Sequence, residues 1–598
     1  MNSGTYCSRY RWLARLSAPL LATVIYTTSV LAERPAAPRL LPEQTVVFFS
    51  VADAPDMAER FMNTALGRMS RDEQMKPLVR SVYGSVSEAL ADLRERTGLS
   101  IEQILAVAQG ELALAVVVGD EGPPAVVVLI DAGDQLSNAR KLIERGTARL
   151  DESQATASEK TIAGTKLSIY DGVGPRRRKL IFFEKDSTIV FGSDFEVLKG
   201  LLSMWNGGKG DTLAENPNFA AVMQRCRGAK GESPQLTWYV DPIGMMRGIG
   251  RQNVGVRMGV AMLPALGLDG LSAVGGSAIL DAGAFDSILQ AHLLLESPRS
   301  GVLKMIALKS GPVKPEPWVP ATAASYTTFH WEVETTYSTL ATVYDSFRGD
   351  GALAKAMERR IMGPTGIDFE REIIKSLEGR VSMVSWVERP VTIRSQASLM
   401  GLKLSDTDAV KKALEKFVKK RGEWKRQTHA GKTYYQLEIP QLGDNLPQGP
   451  RDSRQGPRIS PCFGILDDYL LLANRASLYR QALVTAAGAK SLAEELDFKL
   501  VASKIRRQTG SRKPAMISFN RPEEGMRMLY DLATSRRTQD RLKRRAEESR
   551  FFKSLDAALK EHPLPPFAVL RQYLAPGGAM VVDDETGIHY TAFSLRRK

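Results

Sequence analysis

The chain has 598 residues, of which 43% are hydrophobic and 25% are charged, and its formal net charge is +14. This length exceeds what one hydrophobic core usually supports, and the composition is that of folded proteins, so a small single domain and a disordered chain are both excluded. The positive charge favours anionic partners or surfaces, but it determines neither a fold nor a chemistry.

Residues 1–32 have the pattern of a secretory signal peptide. A stretch with three arginines precedes an apolar run from Leu16 to Ala32, which ends in small residues. Pro19 makes this run a poor membrane span, so we expect it to be cleaved and the protein to be exported, either periplasmic or secreted. The alternative is an uncleaved N-terminal membrane anchor. No other segment reaches the roughly 18 apolar residues of a membrane span, so none is expected in the mature chain.

The mature sequence repeats itself. Seven segments of the first half recur in the same order in the second; residues 98–118 are echoed by 366–387, for example, and residues 163–172 by 430–439. Each match alone is weak, but their common order indicates an old tandem duplication.

Each copy mixes strand and helix patterns. Residues 111–118 and 124–131 are β-rich runs around a glycine-containing turn, which predicts a hairpin. Helical segments come in clusters between such hairpins and do not alternate with single strands. The sequence therefore predicts an α+β fold of two tandem, duplicated domains with largely antiparallel sheets and clustered helices.

The expected organisation follows the duplication. After the signal peptide come an N-terminal tail (33–40), a first α+β domain (41–296), a Pro/Gly-rich connector (297–318) and a second α+β domain (319–598). The second domain carries an added basic helical insertion near residues 535–553.

Two spaced motifs open the mature sequence. The pattern LPxxT stands before a strand, and TxxGxxxxD precedes a proline-containing helix; the residues are Leu41, Pro42, Thr45, Thr64, Gly67, Asp72 and Pro77. In these motifs the chain resembles a family of exported bacterial proteins of uncharacterised function. The resemblance implies export and supplies no catalytic residues. The second copy departs from it, with Ala323 in the place of Thr45.

Residues that resemble nucleotide-binding or metal-binding motifs do not have the spacing that these motifs require. Gly431-Lys432-Thr433 ends like a phosphate-binding loop, but Arg426 stands where that loop needs a glycine, so we interpret the triplet as a hairpin turn. The five histidines are scattered, without the spacing of metal ligands. We predict no catalytic residue, no cofactor and no metal site.

Carboxylates and thiols are weaker indications of a functional site. Asp186, Asp467 and Asp468 are candidates for acid–base chemistry, but they fall between strands, where aspartate commonly forms turns. Cys226 and Cys462 remain after removal of the signal peptide and occupy unmatched places in the two copies. We expect two buried thiols rather than a disulfide.

The basic segments are the one positive indication of a binding site. Within the insertion the predicted polyanion-binding residues are Arg536, Arg537, Arg541, Lys543, Arg544, Arg545, Arg550 and Lys553. A second cluster lies on an amphipathic helix and consists of Lys411, Lys412, Lys416, Lys419, Lys420 and Arg421. Such clusters bind polyanions or anionic lipid head groups, and the alternative is a solvated helix face.

The leading functional hypothesis is a non-enzymatic exported protein that binds or acts as a scaffold in the bacterial cell envelope. Its partner would be an anionic envelope polymer, a lipid head group or an envelope protein, and an exported address argues against nucleic acid. The alternatives are an extracytoplasmic hydrolase that uses carboxylates between the two copies, and a purely structural envelope protein.

Overall fold

The computed structural model describes residues 34–76, 106–119, 122–152, 155–173, 178–229, 232–389, 391, 395–437, 459–535 and 563–597. The chain divides into two units, residues 1–35 and 36–598. The predicted signal peptide, which makes up most of the first unit, lies outside the described residues, as do residues 536–553 of the predicted basic insertion. All strands and helices described below belong to the second unit.

Among the described residues, ten strands lie in each half of this unit. The first half contains β1 (Thr45–Val51), β2 (Leu112–Val117), β3 (Ala125–Asp131), β4 (Thr156–Ile162), β5 (Thr165–Val173), β6 (Arg178–Lys185), β7 (Thr188–Gly192), β8 (Leu236–Val240), β9 (Leu271–Ala282) and β10 (Phe285–Leu295). The second half contains β11 (Ser325–His330), β12 (Leu377–Val387), β13 (Gln396–Leu404), β14 (Trp424–His429), β15 (Lys432–Leu437), β16 (Cys462–Leu466), β17 (Tyr469–Ala473), β18 (Met516–Asn520), β19 (Gly577–Asp584) and β20 (Gly587–Leu595).

The α-helices lie in clusters between these strands. In the first half they are α1 (Ala54–Asn63), α2 (Ala65–Arg71), α3 (Leu136–Glu152), α4 (Phe195–Trp205), α5 (Pro217–Arg225), α6 (Pro242–Gly250) and α7 (Val254–Leu266). In the second half they are α8 (Val333–Arg348), α9 (Ala352–Met357), α10 (Gly363–Thr365), α11 (Thr407–Lys420), α12 (Ala476–Ala486), α13 (Leu496–Thr509), α14 (Pro522–Ala533) and α15 (Phe567–Arg571). Short 3₁₀ segments include Ala37–Arg39, Leu213–Glu215, Gly301–Met305 and Leu492–Glu494.

All strand pairs among the described residues are antiparallel, and they join into one sheet of twenty strands. In the first half the order is β4-β5-β6-β7-β3-β2-β1-β8-β9-β10. The second half has the same order, β14-β15-β16-β17-β13-β12-β11-β18-β19-β20, and β10 pairs with β20 to join the halves. The predicted α+β class with antiparallel sheets and clustered helices is confirmed. The tandem duplication, a statement about ancestry, and the boundaries of two separate domains stay predictions.

Hairpin turns form where the sequence supplies residues that accept positive φ. Ala163-Gly164 connects β4 to β5, and Ala430-Gly431 connects β14 to β15. The two glycines have φ of +80° and +71°, which glycine adopts at little cost and which suits two-residue hairpins. The turn predicted at Gly431 is confirmed.

Side chains alternate between the two faces of the sheet, and the face that carries the two largest hydrophobic cores is called the covered face. In the first half α4 and α5 cover it, and Phe219 of α5 lies edge-on to Phe48 of β1 with ring centroids 5.7 Å apart. In the second half α12 and α13 cover it, and Phe498 packs in the same edge-on manner against Phe519 of β18.

Among the described residues, two helices pack on the opposite face, the open face, towards its two ends. Apolar residues of α3 pack on β3 and β7, and those of α11 pack on β13 and β17. Between these helices, large apolar side chains of the open face are solvent-exposed: Phe49, Leu114, Val126, Leu289, Met383 and Tyr590. These side chains offer apolar contact area to a partner.

Candidate binding site on the open face

Apolar residues of the open face lie in one row across the sheet, which is exposed at Phe49 and Tyr590 and half-buried or buried between them. Strand register places Phe49, Trp238, Gly276, Ala291 and Tyr590 side by side across β1, β8, β9, β10 and β20. Leu289 and Tyr590, near the centre where the halves join, are 51% and 38% exposed. Contiguous exposed apolar patches on soluble proteins mark interaction sites, whereas scattered single residues do not.

A groove of about 360 Å³ lies at this centre. It is lined by residues of β10, β11, β18, β19 and β20. Its hydroxyl groups bond to each other: the Oγ atoms of Ser287 and Ser594 are 2.9 Å apart, and Thr327 Oγ1 lies 2.9 Å from Ser518 Oγ. The groove therefore combines apolar surface with uncharged hydrogen-bonding groups, a lining suited to an extended, uncharged segment of a partner.

A second groove, of about 440 Å³, lies on the open face of the second half. Met383, Met400 and Leu472 contribute to its lining, together with Trp424 and Phe463, whose ring centroids are 4.6 Å apart. Methionine and aromatic side chains adapt to irregular apolar partners and are enriched at protein interfaces. The open face thus offers two neighbouring apolar grooves on one sheet.

Carboxylates do meet where the two halves join, but each faces an arginine. Two of these ion pairs connect the halves, Arg225–Asp584 and Arg596–Asp281, and a third, Arg299–Asp583, joins the connector to the second half. The fourth carboxylate, Asp286, lies 4.0 Å from Arg68 and accepts a 2.7 Å hydrogen bond from the Ala65 amide. Carboxylates held by guanidinium groups stabilise the junction.

Two of these carboxylates have shifted pKa values. Burial raises the pKa of Asp286. Burial acts in the same direction on Asp584, but hydrogen bonds from Thr586 and the charge of Arg225 outweigh it and lower the pKa of that carboxyl. The two groups belong to separate ion pairs.

The aspartates singled out in the sequence lie in turns. Asp186 and Asp467 have φ of +47° and +52° between paired strands, and Asp468 adjoins Asp467 in its turn. Asp186 accepts a 2.8 Å hydrogen bond from the Trp205 indole, and Lys432 pairs with Asp467 at 3.3 Å. Turn formation therefore explains why aspartate occurs at these three positions.

The structure brings together two histidines that looked unrelated in the sequence. His292 of β10 and His589 of β20 are register partners, with ring centroids 5.7 Å apart on the covered face. Burial lowers the pKa of each to about 4, helped by the charge of Arg225 for His292 and of His292 for His589. The pair is therefore uncharged near neutral pH. In the described ranges no three His, Cys, Asp or Glu side chains are grouped so as to hold a metal ion.

A buried ion pair fastens the connector to the second half. Glu316 of the connector lies 2.9 Å from Arg380 of β12, and both side chains are buried. Tyr326 and Tyr469 donate hydrogen bonds to Glu316 at 3.0 and 3.3 Å. Arg380 also donates to the Lys314 carbonyl at 2.6 Å. These groups satisfy one another, so the cluster is structural.

Of the two basic clusters singled out in the sequence, one lies within the described residues. Arg536, Arg537, Arg541, Lys543, Arg544, Arg545, Arg550 and Lys553 all lie outside the described residues. The lysines of the second basic cluster lie on α11 as predicted, and Arg421 follows its last residue. Lys416 pairs with Glu372 at 2.6 Å, and Lys420 donates to the Gly363 carbonyl at 3.3 Å. Lys411, Lys412 and Lys419 are solvent-exposed on the same helix.

Cys226 and Cys462 are free and buried. Burial raises the pKa of each thiol to about 12. Both thiols therefore stay protonated near neutral pH and are poor nucleophiles.

The residues of the two opening motifs have local structural roles. The Thr45 hydroxyl donates to the Pro42 carbonyl at 2.7 Å, and Thr64 caps α2 by accepting from the Gly67 amide. Asp72 accepts a 2.6 Å hydrogen bond from Tyr573. Pro77 lies outside the described residues.

No helix within the described ranges has both the length and the apolar character needed to cross a bilayer. In comparisons with known proteins, no family model, no curated protein and no solved structure matches this chain.

Proposed function

We propose that this protein is an exported, non-enzymatic binding or scaffold protein of the bacterial cell envelope, and that its partner binds the open face. The observation that carries the proposal is the set of exposed apolar side chains between α3 and α11, with Leu289 and Tyr590 exposed at its centre. Leaving this surface in water is unfavourable, and covering it with a partner stabilises the complex by removing it from water.

The lining of the grooves favours an envelope protein as that partner. Met383, Tyr590 and Trp424 are residues of the types enriched in the centre of protein interfaces. The central groove adds hydroxyl groups that can bond to a partner's backbone, and the residues lining it carry no charge. An extended apolar segment of a protein partner fits this chemistry better than a polyanion does.

Site-specific photo-crosslinking in cells that export the protein tests this proposal. A photoreactive residue is introduced at Leu289, at Met383 or, as a control, at Leu500, which is 50% exposed on α13 and so matches Leu289 in exposure. We expect one and the same protein adduct from Leu289 and Met383 and no such adduct from Leu500. The Leu289→Asp change should abolish the Met383 adduct. An adduct that survives this change, or equal crosslinking at Leu500, would rule out the open face as the binding site.

An anionic envelope component is a second candidate partner, favoured by the exposed Lys411, Lys412 and Lys419 on α11. Clustered lysines attract phosphate-bearing polymers and lipid head groups, and the attraction weakens with salt. Changing the three lysines to glutamate should abolish co-sedimentation with purified envelope material at low salt. Unchanged co-sedimentation would remove α11 from consideration.

A further inference from the structure

Helices α6 and α7 form a hairpin whose outer helix is unusually exposed. Asp241 caps α6 by accepting from the Gly244 amide at 2.7 Å, and Asn253 caps α7 by accepting from the Val256 amide at 3.1 Å. Helix α6 packs on β1 and β9, whereas α7 packs on α6 and on the short segment Gly301–Met305. The hairpin thus places α7 on the outside of the molecule.

The composition of α7 does not suit an exposed helix. Its sequence VGVRMGVAMLPAL has one charged residue, Arg257, yet none of its residues is buried. Val254, Met258 and Met262 follow at intervals of four and lie on one side of the helix, exposed by 62%, 67% and 49%. Helices that are apolar all round are normally buried in a core or in a membrane. This side of α7 is therefore exposed to solvent in the part of the chain that the structure describes.

The charges of the hairpin indicate what covers it. Residues 242–268 contain three arginines (Arg247, Arg251 and Arg257) and no aspartate or glutamate. All three arginines are exposed, and so is Lys304 in the neighbouring segment that packs on α7. A second copy of the chain would bring these cationic hairpins together, which like-charge repulsion opposes. An anionic lipid layer has anionic head groups above an apolar interior. It therefore complements both the arginines and the exposed apolar side of α7.

The length of α7 determines its orientation on such a layer. Thirteen residues at about 1.5 Å each give a helix of about 20 Å, which is shorter than the roughly 30 Å hydrocarbon core. A helix of this length lies in the plane of the lipid surface and does not span it. With that orientation the side that carries Met258 reaches the acyl chains, and the arginines remain at the level of the head groups.

We propose that the α6–α7 hairpin docks the protein on anionic lipid surfaces, with Val254, Met258 and Met262 inserted among the acyl chains. This site is separate from the grooves of the open face and does not depend on the identity of their partner. It also differs from the basic clusters predicted in the sequence, because its binding energy combines apolar insertion with charge.

The test uses residues 33–598, which contain the whole second unit, and vesicles of phosphatidylcholine with or without phosphatidylglycerol. Met258→Cys is labelled with an environment-sensitive fluorophore, and Leu496→Cys, 81% exposed at the start of α13, serves as the matched control. The two native thiols are buried and protonated, so the label attaches selectively. We expect the Met258 label to brighten with anionic vesicles only, while the Leu496 label remains unchanged.

A second measurement separates insertion from simple adsorption. In the unlabelled protein, Met258→Ser with Met262→Ser should weaken binding to anionic vesicles roughly tenfold or more, because two buried apolar groups are lost from the lipid. Circular dichroism and the thermal midpoint verify that this variant is folded. Unaltered binding of the variant, binding without a response of the Met258 label, a response that depends on protein concentration without vesicles, or no vesicle binding would each overturn the proposal.

Discussion

In each half, a side chain of the sheet region binds the segment that precedes the first strand, β1 or β11. The two halves use different groups for this contact. In the first half, Glu111 accepts a 2.9 Å hydrogen bond from the Ala37 amide and a 3.2 Å bond from Ser50 of β1. In the second half the matching group is Arg380 of β12, which pairs with Glu316 of the connector. The same strand order therefore tolerates a reversal of charge when the preceding segment supplies the complementary group.

The two arrangements differ in burial and hence in the expected effect of breaking them. Glu316 and Arg380 are 3% and 8% exposed, whereas Glu111 is only half-buried. Burial and the charge of Glu316 raise the pKa of Tyr326, so its hydroxyl remains a donor to that carboxylate. A buried charge that loses its partner cannot recover solvation from water, while a partly exposed group can.

The largest effect is expected from Glu316→Ala, which leaves the Arg380 charge buried without its carboxylate. We predict a loss of about 3–5 kcal/mol in the free energy of unfolding, measured by urea denaturation with the denaturant slope verified as unchanged. A loss below about 1 kcal/mol, the typical value for an exposed ion pair, would show that the cluster is solvated.

The contribution of the junction between the halves to folding stability should decrease at acidic pH. The folded-state pKa of His292 is about 4, below its ordinary value of 6.5, so the unfolded chain takes up its proton first as the pH falls. This histidine's contribution to stability is therefore complete above pH 6.5 and is lost between pH 6.5 and about 4.

At about 1.4 kcal/mol per pH unit, lowering the pH from 6.5 to 5 should cost roughly 2 kcal/mol for this histidine. The His292→Leu variant should show a correspondingly flatter dependence of the unfolding free energy on pH. His429→Gln, at the end of β14 and away from the junction, is the control. A pH dependence that is identical in the wild type and in His292→Leu would contradict the assignment.

The matching change in the first half, Glu111→Ala, should cost less than Glu316→Ala. It removes hydrogen bonds to a half-buried carboxylate and leaves the Ala37 amide and the Ser50 hydroxyl to find water, for a loss of roughly 1.5 kcal/mol by urea denaturation. If the two variants lose the same stability, burial is not what distinguishes the two halves.

Sequence patterns predicted the features that depend on neighbouring residues and missed those that depend on distant ones. Strand alternation and the Ala-Gly turns gave the antiparallel α+β class, because both are local. The pairing of His292 with His589 and the ion pair between Glu316 and Arg380 arise from contacts between distant segments, which no local pattern encodes. The open face was missed for a similar reason: alternation shows that a strand has an apolar face, but not whether a helix covers it.

The smallest predicted effects come from a feature that the halves share, the turns at Gly164 and Gly431. Both glycines have positive φ, and a Cβ at either would meet nothing within 4 Å, so an added methyl group acts only through backbone conformation. Gly164→Ala and Gly431→Ala should each cost about 1 kcal/mol in unfolding free energy. Ala430→Gly, which relieves an alanine already held at φ +47°, should cost nothing or stabilise the protein. Unequal losses at the two glycines would mean that the halves differ in their turns as well as in their buried charges.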